Sequence, residues 1–477
     1  MSMLFNTINF GWFFLLLALC FFMLPQQRRW IFLLFCNLLY YACFKAEYLL
    51  LLFVAIGVSY LCGLQMAKDT RETRRRFWLI LGLTINLGIL IFFKYFNFFS
   101  RSLMDVGSAL GHPVTLPLLR WMLPVGISFY TFTASGYLID VYRRKVEAER
   151  HPGYYAAFIS FFPNIVSGPI ERAGNLLPQF RRIGEFDGAR AASGLRLMLW
   201  GFFKKLVVAD RLAIYVNAVF NHPDPHSGAT LLVGSLFFTF QIYCDFSGYT
   251  DIAIGVARLL GFDLRRNFDR PYFSRSIPEF WRRWHISLSS WFRDYLYIPL
   301  GGSRVAVSRA YLNLFIVFFV SGMWHGANWT FLIWGGLHGL YAVSSKFTQA
   351  SRDRIAAALH VPAALRHGFA VLVTFMLANF AWVYFRANDL ATANLIMMKI
   401  FSGDYSKLFI PAMDQFLYSL AAIAMLLTVD LLQERRSLAA WLDARSLVLR
   451  WAAYGTVVVI ILLTGIFNGS QFIYAQF

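Results

Sequence analysis

The sequence predicts an all-α polytopic membrane protein, with about 10 to 12 transmembrane helices and further re-entrant or interfacial helices among them. Three observations carry that expectation. Of 477 residues, 58% are hydrophobic and only 14% charged, too apolar and too poor in charge for a water-soluble domain. Apolar runs of about 20 residues, the helix length that crosses ~30 Å of hydrocarbon, recur along the whole chain. The 44 Lys and Arg, against 25 Asp and Glu, gather in the short connections between those runs.

The first run, residues 10–24, has no basic region before it and is followed by further spans, so it is expected to be a retained helix and not a cleaved signal peptide. Basic clusters at 26–29, 68–76, 143–145, 181–182, 265–309 and 433–436 are placed in the cytoplasm by the positive-inside rule. The connection Asn221-His222-Pro223-Asp224-Pro225-His226-Ser227-Gly228 has neither Lys nor Arg and is placed outside. The N-terminus is then expected to face outward. Arg450 precedes the last run, 451–467, so the tail 468–477 is expected to be extracytoplasmic too, which requires an even number of crossings.

Two stretches depart from ordinary spans. Residues 161–172 carry two prolines and a glycine in an apolar context, which breaks helical hydrogen bonding and is tolerated at membrane depth only inside protein or beside a cavity. Residues 265–309 are aromatic, basic and amphipathic, and are expected to lie on or dip into the cytoplasmic face. With no internal repeat and no low-complexity linker, residues 1–477 are read as one domain. Cys20, Cys36, Cys43, Cys62 and Cys244 lie mostly in apolar runs without metal-site or disulfide spacing, and are expected to be buried small hydrophobes. The net charge of +19 is explained by cytoplasmic retention and anionic lipid head groups, so membrane lipid and not nucleic acid is the expected partner. No metal site is indicated.

Four places could carry chemistry. His325, in Ser321-Gly322-Met323-Trp324-His325-Gly326-Ala327-Asn328, follows an apolar run, and an ionisable side chain near membrane depth is a functional candidate by default; a neutral histidine satisfied by backbone would fit the same position. His285, in Trp281-Arg282-Arg283-Trp284-His285, has its imidazolium disfavoured by the neighbouring arginines, as suits a neutral base or hydrogen-bond partner; an interfacial aromatic helix is the alternative. Asp245 and Ser247, in Asp245-Phe246-Ser247-Gly248-Tyr249-Thr250-Asp251, sit in an apolar neighbourhood without a nucleophile elbow, which favours structural or lining roles. His338 is a packing or lining candidate.

Three blocks together, residues 241–251, 281–296 and Gly322-Met323-Trp324-His325-Gly326, resemble those of the membrane-bound O-acyltransferase (MBOAT) family in sequence and order. The resemblance is strongest to the bacterial branch serving alginate, peptidoglycan and cellulose O-acetylation, with teichoic-acid D-alanyl transfer proteins more distant. It implies a helical fold around a central tunnel, His325 as the catalytic histidine, and His285 as its second histidine. Acyl transfer from a thioester to a hydroxyl needs a base near pKa 7 and donors for the tetrahedral oxyanion; Trp324, Asn328 and amides near Gly326 are candidates. The terminal pattern Phe472-x-Tyr474-x-x-Phe477 resembles that of the small partner in teichoic-acid D-alanylation, making Tyr474 a candidate acyl acceptor, with an interfacial aromatic belt as the alternative.

The expected activity is transfer of an acetyl group from a cytoplasmic thioester, acetyl-coenzyme A or an acyl-carrier protein, across the membrane, with no permanently bound cofactor. The donor's phosphates would meet the basic face at 265–309. An extracytoplasmic SGNH-type acetyltransferase would complete transfer to a polysaccharide or peptidoglycan. A transporter or flippase, or a scaffold without chemistry of its own, are the competing readings.

Overall fold

The computed structural model describes residues 3–467 and Ile473. Among them all regular structure is helical and no strand occurs. Seven helices are long and apolar enough to cross a membrane: Ala46–Lys68, Glu72–Ala109, Gly228–Leu259, Val307–His325, Ala363–Arg386, Met413–Arg435 and Leu447–Thr464. Against the 10 to 12 crossings read from the sequence, Ile8–Met23 and Leu390–Phe401 are further apolar helices among the described residues, of 16 and 12 residues. The helix Leu447–Thr464 buries only Ile461 and exposes Val448, Leu462 and Leu463, an outer surface suited to lipid and not to water. The same holds for Cys20, which is exposed, whereas Cys36, Cys62 and Cys244 are buried as expected.

Contacts divide the chain into two compact units, Met1–Leu195 with Ala253–Arg265, and Arg196–Ile252 with Arg266–Phe477. In the first, the expected break at 161–172 is present. Pro152–Ser160 ends at Phe161, which starts the single turn Phe162–Ile165. The chain then folds back tightly: a Cβ on Gly168 would lie 2.3 Å from the Pro163 carbonyl oxygen. Residues 165–173 are buried throughout, which satisfies the rule that non-helical backbone at membrane depth must be enclosed by protein. Glu171 closes the segment by accepting hydrogen bonds from the Arg265 amide and from Asn175 Nδ2.

In the second unit, residues 266–306 form short pieces and no span. Ser276 caps the helix Ile277–Arg283 by accepting from the Glu279 amide, with a proline in the first turn. Glu279 in turn accepts from the Arg275 amide and pairs with the Arg275 and Arg283 side chains, so its carboxylate holds the residue before the cap. The basic side of this region remains accessible, but its aromatic side is core: Phe280, Trp284 and His285 are at most 1% exposed.

The hairpin Val307–His325 and Trp329–Phe347 is pinned by small residues. A Cβ on Gly322 would approach the Phe331 carbonyl oxygen to 2.3 Å, and one on Gly335 the Phe318 carbonyl oxygen to 2.5 Å. Glycine lets the two backbones touch, the usual device where water supplies no force between helices. Gly335→Ala is therefore expected to destabilise the protein by about 1–3 kcal/mol, the cost of overpacking. Gly336→Ala, whose Cβ meets nothing within 4 Å, is expected to be neutral or stabilising by up to about 1 kcal/mol. Thermal unfolding in detergent micelles checks the pair, and equal effects would contradict the close approach.

Candidate active site

His325 is the last residue of Val307–His325, where the chain leaves the helix through the extended Gly326. It is 3% exposed. Its ring centroid lies 4.9 Å from that of Trp324, 4.9 Å from Trp334 and 5.4 Å from Phe385. His285 is also a ring neighbour of Trp324, at 6.1 Å between centroids. Trp324 thus neighbours both histidines that the sequence singled out, residues 40 positions apart in the chain, and one aromatic cluster holds all three.

His285 is fully buried and has φ +43°, a left-handed conformation that is uncommon and costly outside glycine. Asn267 holds it there. Asn267 Oδ1 accepts from the Ser287 amide at 3.2 Å and from Ser287 Oγ at 3.0 Å, and lies 3.1 Å from His285 Nδ1. Because the Ser287 amide can only donate, that Asn267 atom is the oxygen, so His285 Nδ1 carries the proton and Nε2 the lone pair. Phe246 packs edge-on at 4.7 Å. His285 lies between two short helices, outside the seven candidate spans, and burial pushes its imidazole down to about 3. Burial and not the flanking arginines keeps it neutral: Arg283 is paired with Glu279 and Glu434.

Asn328 spends both ends of its amide on structure. Its Oδ1 accepts from the Thr330 amide as the cap of Trp329–Phe347, and its Nδ2 donates to the Asn388 carbonyl. Asn388 borders an open cavity of about 740 Å³ lined also by Asn221, His222, Asp224 and Thr392.

Asp245 and Ser247 belong to a buried ionic cluster. Lys205 Nζ donates to Asp245 Oδ1 at 2.6 Å and to Asp210 Oδ1 at 2.9 Å; Lys204 Nζ donates to Asp251 Oδ2 at 2.6 Å and to Ser247 Oγ at 3.0 Å. The lysines sit, both buried, on the π-helical turn Phe203–Ala209, an i→i+5 interruption of the kind found at functional sites. The second oxygen of Asp245 accepts the Ile473 amide at 2.8 Å. Tyr474 lies outside the described residues.

The sequence reading missed Lys204, Lys205 and Asn267. Two adjacent lysines inside an apolar run were a usable signal, since charges there need partners. Nothing local marks Asn267.

Comparison with known proteins adds the decisive observation. The model of the MBOAT, membrane-bound O-acyltransferase family matches residues 81–386, a range that contains both histidines. The chain belongs to this family. It is 40% identical over 406 residues to the probable alginate O-acetylase AlgI of Pseudomonas aeruginosa, covering 84% of this chain and 75% of that protein. To the peptidoglycan O-acetyltransferase of Helicobacter pylori it is 37% identical over 396 residues, covering 77% and 72%. A more distant likeness, 32% identical over 236 residues, links it to the teichoic acid D-alanyltransferase of Streptococcus thermophilus, covering 45% and 55%. This MBOAT chain is thus a multi-pass membrane O-acyltransferase.

Burial of a neutral histidine makes acid the destabilising direction. The unfolded chain takes up a proton near 6.5 that folded His285 does not accept until about 3, so the stability it contributes is complete above about 6.5 and falls as pH falls toward 3. His285→Gln lacks that group. The gap in unfolding temperature between wild type and His285→Gln is expected to shrink between about pH 7.5 and about pH 5. A gap that stays constant or widens would contradict a neutral buried imidazole.

Proposed function

We propose that this MBOAT protein passes an acetyl group from a cytoplasmic thioester, acetyl-coenzyme A in the first instance and an acyl-carrier protein in the second, to a hydroxyl presented from the extracytoplasmic side, in O-acetylation of a polysaccharide or peptidoglycan. The observation that carries the reading is the buried pair His325 and His285, both ring neighbours of Trp324, in a chain whose relatives are named alginate O-acetylase and peptidoglycan O-acetyltransferase.

In the proposed reaction the hydroxyl oxygen attacks the thioester carbonyl carbon while the His325 imidazole takes the hydroxyl proton. The tetrahedral intermediate then collapses, the C–S bond breaks, and the thiolate leaves with the proton that the imidazolium returns. One ester and one thiol result. A neutral imidazole suits both halves of that proton cycle. His285, with its tautomer set by Asn267, holds the neighbouring Trp324 side of the cluster and is assigned a positioning role. Trp324 walls the reacting centre. Asp245 and Ser247 are assigned to the support of the helices around it, and Asn328 to the geometry of the turn that bears His325. No permanently bound cofactor is required.

The hydroxyl is proposed to enter from the open cavity beside Asn388, and Tyr474 to be its first bearer. Its neighbour Ile473 is tethered by Asp245, and a phenol of pKa about 10 leaves more readily than an alkyl alcohol in a second transfer. An extracytoplasmic SGNH-type acetyltransferase would then move the acetyl group to the glycan. The location proposed is the bacterial inner membrane, with both termini extracytoplasmic and the basic clusters facing the cytoplasm.

The test is transfer of labelled acetyl from acetyl-coenzyme A in reconstituted protein, with the label located by mass spectrometry. His325→Ala is expected to lower transfer by roughly 10²- to 10⁴-fold, the span typical of a lost general base, and Tyr474→Phe to abolish label at 474 while leaving the fold intact. Transport of a solute that persists in His325→Ala, without label in any variant, would replace this reading with a transporter.

A further inference from the structure

Next to His325 the second unit buries several N–H donors that have no acceptor among the described residues. Trp334 and Trp382 are 0% exposed, and the indole Nε1 of each lacks a hydrogen-bond partner, as does that of the fully buried Trp284. His338 adds a fourth. Its Nδ1 lies 3.2 Å from Trp281 Nε1, an atom that can only donate, so Nδ1 accepts and the neutral ring carries its proton on Nε2. That Nε2–H is also buried and unpartnered.

These donors belong to one cluster. Trp334 is its centre, with ring centroids 4.9 Å from His325, 4.9 Å from His338 and 5.6 Å from Trp382; Trp382 is 4.9 Å from Trp284. They come from different parts of the unit: Trp334 and His338 one turn apart on Trp329–Phe347, Trp382 on Ala363–Arg386, and Trp284 at the end of Ile277–Arg283. Folded proteins leave few buried donors unmet, and each one kept is costly. Several in one cluster, with Trp334 packed against the candidate base, point to an acceptor supplied by a ligand.

The chemistry of the cluster narrows that ligand. The ring neighbours of Trp334 are Trp281, His325, His338, Trp382 and Phe385, so the rings around it offer N–H groups and apolar faces. A phosphate would call for cations. A carbonyl oxygen that is neutral in the ground state and gains negative charge as it is attacked calls for fixed neutral donors in a dry site.

We propose that the Trp334 and Trp382 indoles, assisted by His338 Nε2–H, seat the acyl carbonyl oxygen of the donor thioester and stabilise it as an oxyanion. The proposal rests on the acyl-transfer reading given above and assigns catalytic roles to Trp334 and His338 on Trp329–Phe347 and to Trp382 on Ala363–Arg386. During transfer the carbonyl π electrons move onto the seated oxygen as the hydroxyl oxygen bonds to carbon. They return when the C–S bond breaks, and the indoles lose no proton at any stage.

The experiment replaces Trp334 and Trp382, one at a time, by Phe and by β-(3-benzothienyl)alanine, which keeps the bicyclic shape and puts sulfur where the N–H was. Turnover is measured with acetyl-coenzyme A. Each loss of a donor is expected to lower kcat by roughly 10- to 100-fold, somewhat less than the loss of a strong backbone or amide donor, with KM for acetyl-coenzyme A within about threefold because the gain arises in the transition state. The benzothienyl variants are expected to unfold at the same temperature as wild type or higher, since an unmet buried donor has been removed. A second readout is the carbonyl stretch of ¹³C-acetyl-coenzyme A bound to the His325→Ala protein, expected at lower frequency than in His325→Ala carrying Trp334→Phe as well.

A kcat within twofold of wild type in the benzothienyl variants would overturn the seat, leaving the donors to a buried water. A kcat lost together with unfolding temperature in both replacements would assign the indoles to packing and overturn it likewise. Absence of transfer by wild type itself would refute the acyl-transfer reading, and the seat with it.

Discussion

A chain that lives in hydrocarbon must satisfy its polar groups from within, because no solvent is present to do so. In the second unit that constraint is met around two adjacent lysines. Lys205 is held by Asp210 and Asp245, and Lys204 by Asp251 and Ser247; removing one partner of such a buried pair typically costs about 3–5 kcal/mol. The cluster ties the π-helical turn Phe203–Ala209 to the long helix Gly228–Leu259, and through Asp245 it also holds the amide of Ile473. Phe246, next to Asp245 on the same helix, packs on His285. The ionic cluster therefore fixes the helix that forms one wall of the histidine site.

Among the places where the described residues do not meet the same constraint, one is the aromatic cluster beside His325. Asn267 satisfies Ser287 and orients His285 at the cost of a left-handed backbone, and strain of this kind persists only where the surroundings fix it. The indoles of Trp334, Trp382 and Trp284 keep donors without protein acceptors. Neutral histidines, fixed tautomers and unmet donors in an aromatic enclosure form a preorganised environment for an oxygen that gains charge.

Much of this was legible from hydropathy and breaker residues. The helical class, the interruption at 161–172 and the failure of 265–309 to form a span follow from proline, glycine and charge placement, and all are present. His285 and His325 stood out because histidine is rare in such a setting, and the three ordered motif blocks assigned the family. What escaped was long-range pairing. Lys205 meets Asp245 across 40 residues and Asn267 meets His285 across 18, and no periodicity encodes either contact. Trp334 and Trp382 read as hydrophobic matter in apolar helices, since an indole N–H without an acceptor is visible only once its surroundings are known. The aromatic face of 265–309 was assigned to the membrane surface because aromatic and basic residues mark both an interface and a buried cluster, and only packing separates them. Asn328 was considered for oxyanion support, whereas its amide is committed to a helix cap and to the Asn388 carbonyl.

The central claim is that acyl transfer takes place in the aromatic enclosure around His325. A structure by electron cryomicroscopy with acetonyl-coenzyme A, an acetyl-coenzyme A analogue whose ketone cannot be cleaved, tests it most directly. The account predicts the ketone oxygen within about 3.2 Å of the Trp334 or Trp382 indole nitrogen and the ketone carbon on the His325 side of Trp334. An analogue bound with its acyl end remote from His325, while the indoles keep their present surroundings, would contradict the account.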